Sequence, residues 1–166
     1  MAGLAPRSLK PFAIAAILLS VGLAGCGSGP GMRAKFIEKA DSICKKDDRR
    51  VKRMIDRARE SLARAKSDYA KRQILSEEYD GVANVLRDEA RDLKRLKPPH
   101  DAAADWFSVG VQIRNDAMTL QISSTQVSGG HLSGPPLEDP DPAVIRFLDK
   151  YGFKVCGKAR AAGYRG

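Results

Sequence analysis

The chain has 166 residues, of which 43% are hydrophobic and 30% charged, so it can build a core and falls outside the disordered class. With the first 25 residues read as removable, the remaining 141 (166 − 25) make one ordinary domain, which excludes multi-domain machinery. Lysine and arginine (29) outnumber aspartate and glutamate (20) for a formal charge of +9, and only 6% of residues are aromatic. The core is therefore expected to be mainly aliphatic.

Arg7 and Lys10, with no acid before them, precede the apolar run Pro11–Leu19, which continues through Leu23. At about 13 residues this run spans roughly 20 Å as a helix, short of the ~30 Å hydrocarbon layer, and so reads as a signal peptide rather than a spanning anchor. The next residues, Leu23-Ala24-Gly25-Cys26, resemble the lipobox of bacterial lipoproteins. That resemblance implies diacylation of the Cys26 sulfur, cleavage just before it and, in many members, acylation of the new amino terminus. An ordinary secretory leader and an uncleaved anchor are the alternatives. Two or more acyl chains hold stably to a bilayer where one binds marginally, so the modification would keep the protein on the extracytoplasmic face of the cell membrane. Gly27 replaces the aspartate that some two-membrane bacteria use for inner-membrane retention, which leaves the choice of membrane open. The organisation read from this is a leader over 1–25, a lipidated cysteine and flexible tether over 26–34, and a helical ectodomain over 35–166.

With Cys26 acylated, two of the three cysteines remain, Cys44 and Cys156, in a compartment where disulfides persist. A bond between them would close a loop of about 110 residues, worth up to ~4–5 kcal/mol in the chain-entropy model. Two buried free thiols, or a redox site, form the competing reading, although no Cys-x-x-Cys spacing is present to poise a thiolate.

The segment Gly27-Ser28-Gly29-Pro30-Gly31 is a tether reaching at most about 20 Å, which holds the domain near the membrane. From Lys35, the positions Phe36, Ala40, Cys44, Val51, Ile55, Ala58, Leu62, Ala65 and Tyr69 recur at helical spacing with Asp47 as the exception, predicting a single long first helix of some 30 residues, bent or broken near Ser67. A second stripe, Tyr79, Val82, Leu86, Leu93 and Leu96, is interrupted by Glu89 and flanked by Ala83 and Ala90, and it ends at Pro98-Pro99. Asp101 is the expected N-cap of a third helix carrying Trp106, Val109, Ile113, Ala117, Leu120, Ser124 and Val127 inward. Its outward positions are Gln112, Asn115, Thr119, Gln121, Ser123, Thr125 and Gln126. A loop over 128–140 follows. Asp141-Pro142 then opens a short fourth helix with Val144, Ile145, Leu148 and Tyr151 inward, stopped at Gly152. No alternating strand pattern occurs, so the expected fold is all-α, an antiparallel four-helix bundle with a short fourth helix and one disulfide. In that topology the fourth helix returns along the first and brings Cys156 toward Cys44.

Charge is unevenly spread. Residues 33–75 carry 15 basic against 7 acidic side chains, whereas residues 98–140 carry one, Arg114, against 5. The cluster Lys45, Lys46, Arg49, Arg50, Lys52 and Arg53 is the candidate surface for anionic lipid headgroups, an anionic wall polymer or an envelope protein, its bland alternative being a solvated face spaced by Asp47, Asp48 and Asp56. Nucleic acid is not expected as a partner, for want of any recognised motif.

Tests for chemistry are negative. Gly152-x4-Gly157-Lys158 has phosphate-loop spacing, but Ala159 stands where Ser or Thr should meet magnesium and no strand precedes it. Ser42-Ile43-Cys44-Lys45 has the serine-lysine spacing of penicillin-recognising enzymes without their Lys-Thr-Gly element. His100 and His131 lack metal-ligand spacing, and Glu138, Asp139 and Asp141 do not form a calcium loop. Trp106 and Phe107 read as bundle core. The phrases Phe36-x3-Ala40-x3-Cys44, Leu93-x2-Leu96-x-Pro98-Pro99 and Gly152-x3-Cys156 are similar to those of small helical lipoproteins of actinobacteria, a resemblance that brings no activity with it. The expectation is a membrane-anchored lipoprotein acting as a non-catalytic binding or envelope-associated module, without catalytic residues, cofactor or metal. The alternative is a small-ligand or metal carrier with a pocket between helices near Trp106 and Tyr79.

Overall fold

The computed structural model describes residues 30–131, 139 and 141–156. The leader, the lipobox residues Leu23, Ala24, Gly25 and Cys26, the connection 132–138 with Glu138, and Gly157-Lys158 lie outside the described residues. The described chain contains four α-helices and no strand: α1 (Pro30–Arg64), α2 (Asp68–Lys94), α3 (Ala103–Ser128) and α4 (Pro142–Tyr151).

Helix α1 starts at Pro30, five residues before the expected start at Lys35, so the tether does not extend to residue 34. Proline suits a first helical turn, whose N–H groups have no partner anyway. The turn is also held from outside: the Arg33 guanidinium donates to the Tyr151 carbonyl at 2.7 Å and lies 4.1 Å over the Tyr151 ring. The break expected near Ser67 is present, with the Ser67 hydroxyl accepting the Ala70 N–H at 3.2 Å as the N-cap of α2. Tyr69 therefore belongs to α2 and is exposed rather than closing the α1 stripe.

Asp101 is not the cap of α3. It sits in a 3-10 turn, His100–Ala102, and that turn does the capping instead, through the Ala103 N–H bonded to the His100 carbonyl. The rigid Pro98-Pro99 pair delivers the chain to this turn, leaving the Asp101 carboxylate to accept from the Tyr151 hydroxyl at 3.5 Å. Every inward position assigned to α3 is buried, Trp106 through Val127. Ser123, expected outward, is buried as well and donates to the Thr119 carbonyl at 3.0 Å. Phe107, expected in the core, is 67% exposed, because it falls one residue round the helix from Trp106.

Helix α2 is the shared wall of the bundle, packing on α1 on one side and α3 on the other. That double duty explains why Val82, Val85, Leu86, Glu89 and Leu93 are all buried. Helix α4 closes the bundle from α3, with Val144, Leu148 and Tyr151 inward. Its Asp141 cap accepts the Ala143 N–H at 2.7 Å, and its stop at Gly152 adopts φ 99°, a left-handed value natural to glycine. Fully buried Leu86, Leu93, Ile113 and Leu148 fill the middle, each contributing roughly 1.5–3 kcal/mol. One end is aromatic: Phe36 meets Trp106 edge-on at 4.8 Å, and Trp106 stacks on Phe153 at 5.4 Å.

Cys44 and Cys156 form the expected disulfide, their Cα atoms 5.3 Å apart across 112 residues of sequence. The turn that carries Cys156 is fixed by Asp41, whose carboxylate accepts the N–H groups of Lys154, Val155 and Cys156 at 2.8, 3.0 and 3.1 Å. Helix α4 itself packs on α3 and does not run along α1; its last residue, Tyr151, and the turn that follows bring Cys156 to Cys44.

Candidate functional site

The basic cluster of α1 is divided by the fold. Lys46 and Arg50 turn toward α2, where Lys46 meets Asp92 at 3.0 Å and Arg50 meets Asp88 at 3.5 Å. Both also flank the buried Asp47, at 3.7 Å and 3.1 Å. The hydrogen bond with Lys46 holds the Asp92 carboxyl below its ordinary range, and the same bond raises the Lys46 ammonium. These two cations serve the α1–α2 seam. Lys45, Arg49, Lys52 and Arg53 remain on the exposed side, with Arg49 donating to the Lys45 carbonyl at 3.2 Å. The six cations do not form one surface.

A different cationic site appears where sequence adjacency gives no hint of it. On α2, Arg87, Arg91 and Lys94 recur at helical spacing; on α3, Ala103, Phe107, Gly110 and Arg114 do the same. The two stripes face a common groove of about 510 Å³ between the helices. Its floor is apolar, made by Ala90, Leu93 and Trp106, with Leu96 and Pro98 at the end where α2 passes into α3. Gly110 keeps it open: a Cβ added there would meet nothing within 4 Å. Among the described residues, four cations and no carboxylate line this groove.

The cations differ in how they are neutralised. Arg91 pairs with Asp88. Arg87 instead donates to the Asn84 side-chain oxygen at 2.9 Å and to the Gln121 amide oxygen, and Arg114 donates to the Gly110 carbonyl at 3.2 Å. Those acceptors orient the two guanidiniums without cancelling their charge. Among the described residues neither has a carboxylate partner.

A second groove of about 570 Å³ adjoins the first through Leu96 and Pro98 and lies against the start of α1. Lys35, Lys39, Arg95, Lys97 and His100 line it, beside the exposed Met32. These residues come from two separate segments, 32–39 and 95–100, which only the fold brings together.

Trp106 is 6% exposed, so it is core as expected, yet its edge also reaches the first groove, and its indole N–H donates to the Leu93 carbonyl at 3.4 Å. Tyr79 does not join it. It lies two turns before Arg87 on α2 and packs against the core, where burial raises its phenol above the ordinary value. Among the described residues no group of three or more His, Cys, Asp or Glu is placed to hold a metal ion, and no helix is long and apolar enough to cross a membrane. No family model, curated protein or solved structure matches the chain.

Proposed function

We propose that the protein is an exported bacterial lipoprotein, held by acylated Cys26 at the outer face of the cell membrane, whose helical bundle is a non-catalytic binding module. The anchoring half of this reading is supported by the lipobox-like residues Leu23 to Cys26 behind a basic and then apolar leader. Export, though not the anchor itself, is supported by the Cys44–Cys156 disulfide, since such bonds persist in oxidising compartments and are rare in a reducing cytosol.

The observation that carries the binding half is the open groove between α2 and α3, apolar in its floor and cationic at its rim. It favours the small-ligand form of the carrier reading, moved from Tyr79 to the α2–α3 seam. Fractionation of cells expressing the wild-type chain and Cys26→Ser tests the anchor: the wild type pellets with membranes and the variant does not. Intact mass supplies the acyl groups directly. A full-length polypeptide found in the cytosol with its leader uncut would end this reading.

A second reading rests on the groove at the start of α1. Pro30 follows Cys26 by four residues, a reach of about 14 Å even fully extended, so Lys35 and Lys39 would stand close to the headgroups. Anionic lipid contact through this end, additional to the acyl anchor, predicts that binding of the unacylated chain to phosphatidylglycerol vesicles falls steeply with salt.

A further inference from the structure

The groove between α2 and α3 has a direction. The two helices are antiparallel and joined through Pro98, so Leu96, Pro98, Trp106 and Phe107 gather at the joined end and Arg87 and Arg114 stand toward the other, with Arg91, paired to Asp88, and the exposed Lys94 along the α2 rim between them. From Ala103 to Arg114 the wall is about 16 Å long at 1.5 Å per residue. A ligand that is apolar along most of its length and negative at one end matches the apolar floor and the facing pair Arg87 and Arg114.

We infer that this groove takes a single-chain fatty carboxylate, its head received by Arg87 and Arg114 and its chain lying over Gly110 against Trp106 and Phe107. The inference rests on the reading of the groove as the binding site and names the ligand class for it. A volume of about 510 Å³ is that of a small-ligand site, and about 300–1,000 Å³ is usual. The apolar floor supplies affinity through area removed from water. Phe107, a large aromatic 67% exposed on the wall of the groove, would be covered by such an occupant.

The head group follows from the donors that are left. Both terminal nitrogens of Arg87 already each hold an amide oxygen, and Nε of Arg114 already holds the Gly110 carbonyl. The remaining N–H groups can receive a planar anion with two oxygens, for which guanidinium forks are shaped. Among the described residues no carboxylate lines the groove to compete for them.

Trp106 is the only tryptophan of the chain and reaches this groove, so its fluorescence reports binding there, and the groove variants below assign the signal. The test titrates the full chain carrying Cys26→Ser, so that no acyl group of its own competes, with dodecanoate, dodecyl phosphate, dodecanol, dodecyltrimethylammonium and acetate below micellar concentrations. Dodecanoate is expected to saturate at least about tenfold more tightly than the neutral and cationic chains, as one charge-assisted contact provides. Acetate leaves the signal unchanged. Arg87→Gln combined with Arg114→Gln brings dodecanoate down to the level of dodecanol, and Gly110→Leu removes the saturable response to every amphiphile without lowering the melting temperature. Dodecanol or the cation binding as tightly as dodecanoate overturns the anionic assignment while leaving the groove as an amphiphile site. Dodecyl phosphate binding more tightly than dodecanoate overturns the carboxylate. A response that survives Gly110→Leu, or none to any chain, removes the groove itself and with it the binding half of the proposed function.

Discussion

The carboxylate of Asp41 accepts the backbone N–H of Cys156 at 3.1 Å, one helical turn before the disulfide that Cys156 makes with Cys44. The covalent bond and the polar clasp thus hold the same turn to the same face of α1. Because Asp41 also takes the N–H groups of Lys154 and Val155, its removal strands three donors at once. Asp41→Ala is expected to cost about 2–3 kcal/mol in urea unfolding and to make the disulfide reduce faster, whereas Asp41→Asn keeps part of the clasp and loses less.

Asp47 has one oxygen on Arg50 at 3.1 Å and the other buried without a hydrogen-bond partner among the described residues. Truncating the partner leaves a buried charge poorly compensated, so Arg50→Ala should destabilise by about 1–3 kcal/mol. Replacing the acid itself by an apolar residue of similar size, Asp47→Leu, is expected to be neutral or stabilising. Paired denaturation curves that show Asp47→Leu to be the more damaging of the two would reverse this account.

Glu78 is half-buried, and desolvation raises its carboxyl above the ordinary value, opposed by Arg59. A raised folded-state value favours the protonated form, so its contribution is present at low pH and is lost as pH rises through that value. Near neutrality the ionised side chain therefore opposes folding. Glu78→Gln should raise the melting temperature at pH 7, with the gain vanishing as pH falls below the usual carboxylate range; a gain that is constant with pH would refute the assignment.

Gly110 stands inside α3 with open space where a Cβ would go, so nothing in the packing demands glycine. Gly110→Ala should stabilise by about 0.5–1 kcal/mol, the ordinary helix-interior difference. The same methyl narrows the groove floor, so a small loss of dodecanoate affinity alongside a higher melting temperature is the expected pair of readings.

Most of the architecture was legible because the inward faces repeat at three and four. The α3 stripe from Trp106 to Val127 is buried position for position, and the caps at Ser67 and Asp141 use side chains whose oxygens suit that task. Asp47 and Glu89, the two interruptions in the stripes, are both buried rather than turned to solvent. A periodicity argument assigns positions and cannot know that an acid placed inward will be met by neighbours such as Lys46 and Arg50. The site was less legible for the same kind of reason. Neighbouring cations on one helix look like a patch until Asp88 and Asp92 of the next helix draw two of them away. The groove cations are separated by up to 27 positions, Arg87 to Arg114, and only pairing α2 with α3 brings them together. Their signal was present in the matching intervals of Arg87-Arg91-Lys94 and Phe107-Gly110-Arg114, beside the buried stripes.

The bond between Cys44 and Cys156 also decides where mechanical tension can travel. A pull applied between residue 30 and residue 156 passes along the first turns of α1 to Cys44 and crosses to Cys156 through the sulfur atoms. Helices α2 and α3, with the groove between them, sit on a covalent bypass that bears no load while that bridge is intact. A module tethered near its first helix could be tugged at its far end without its binding surface being stretched.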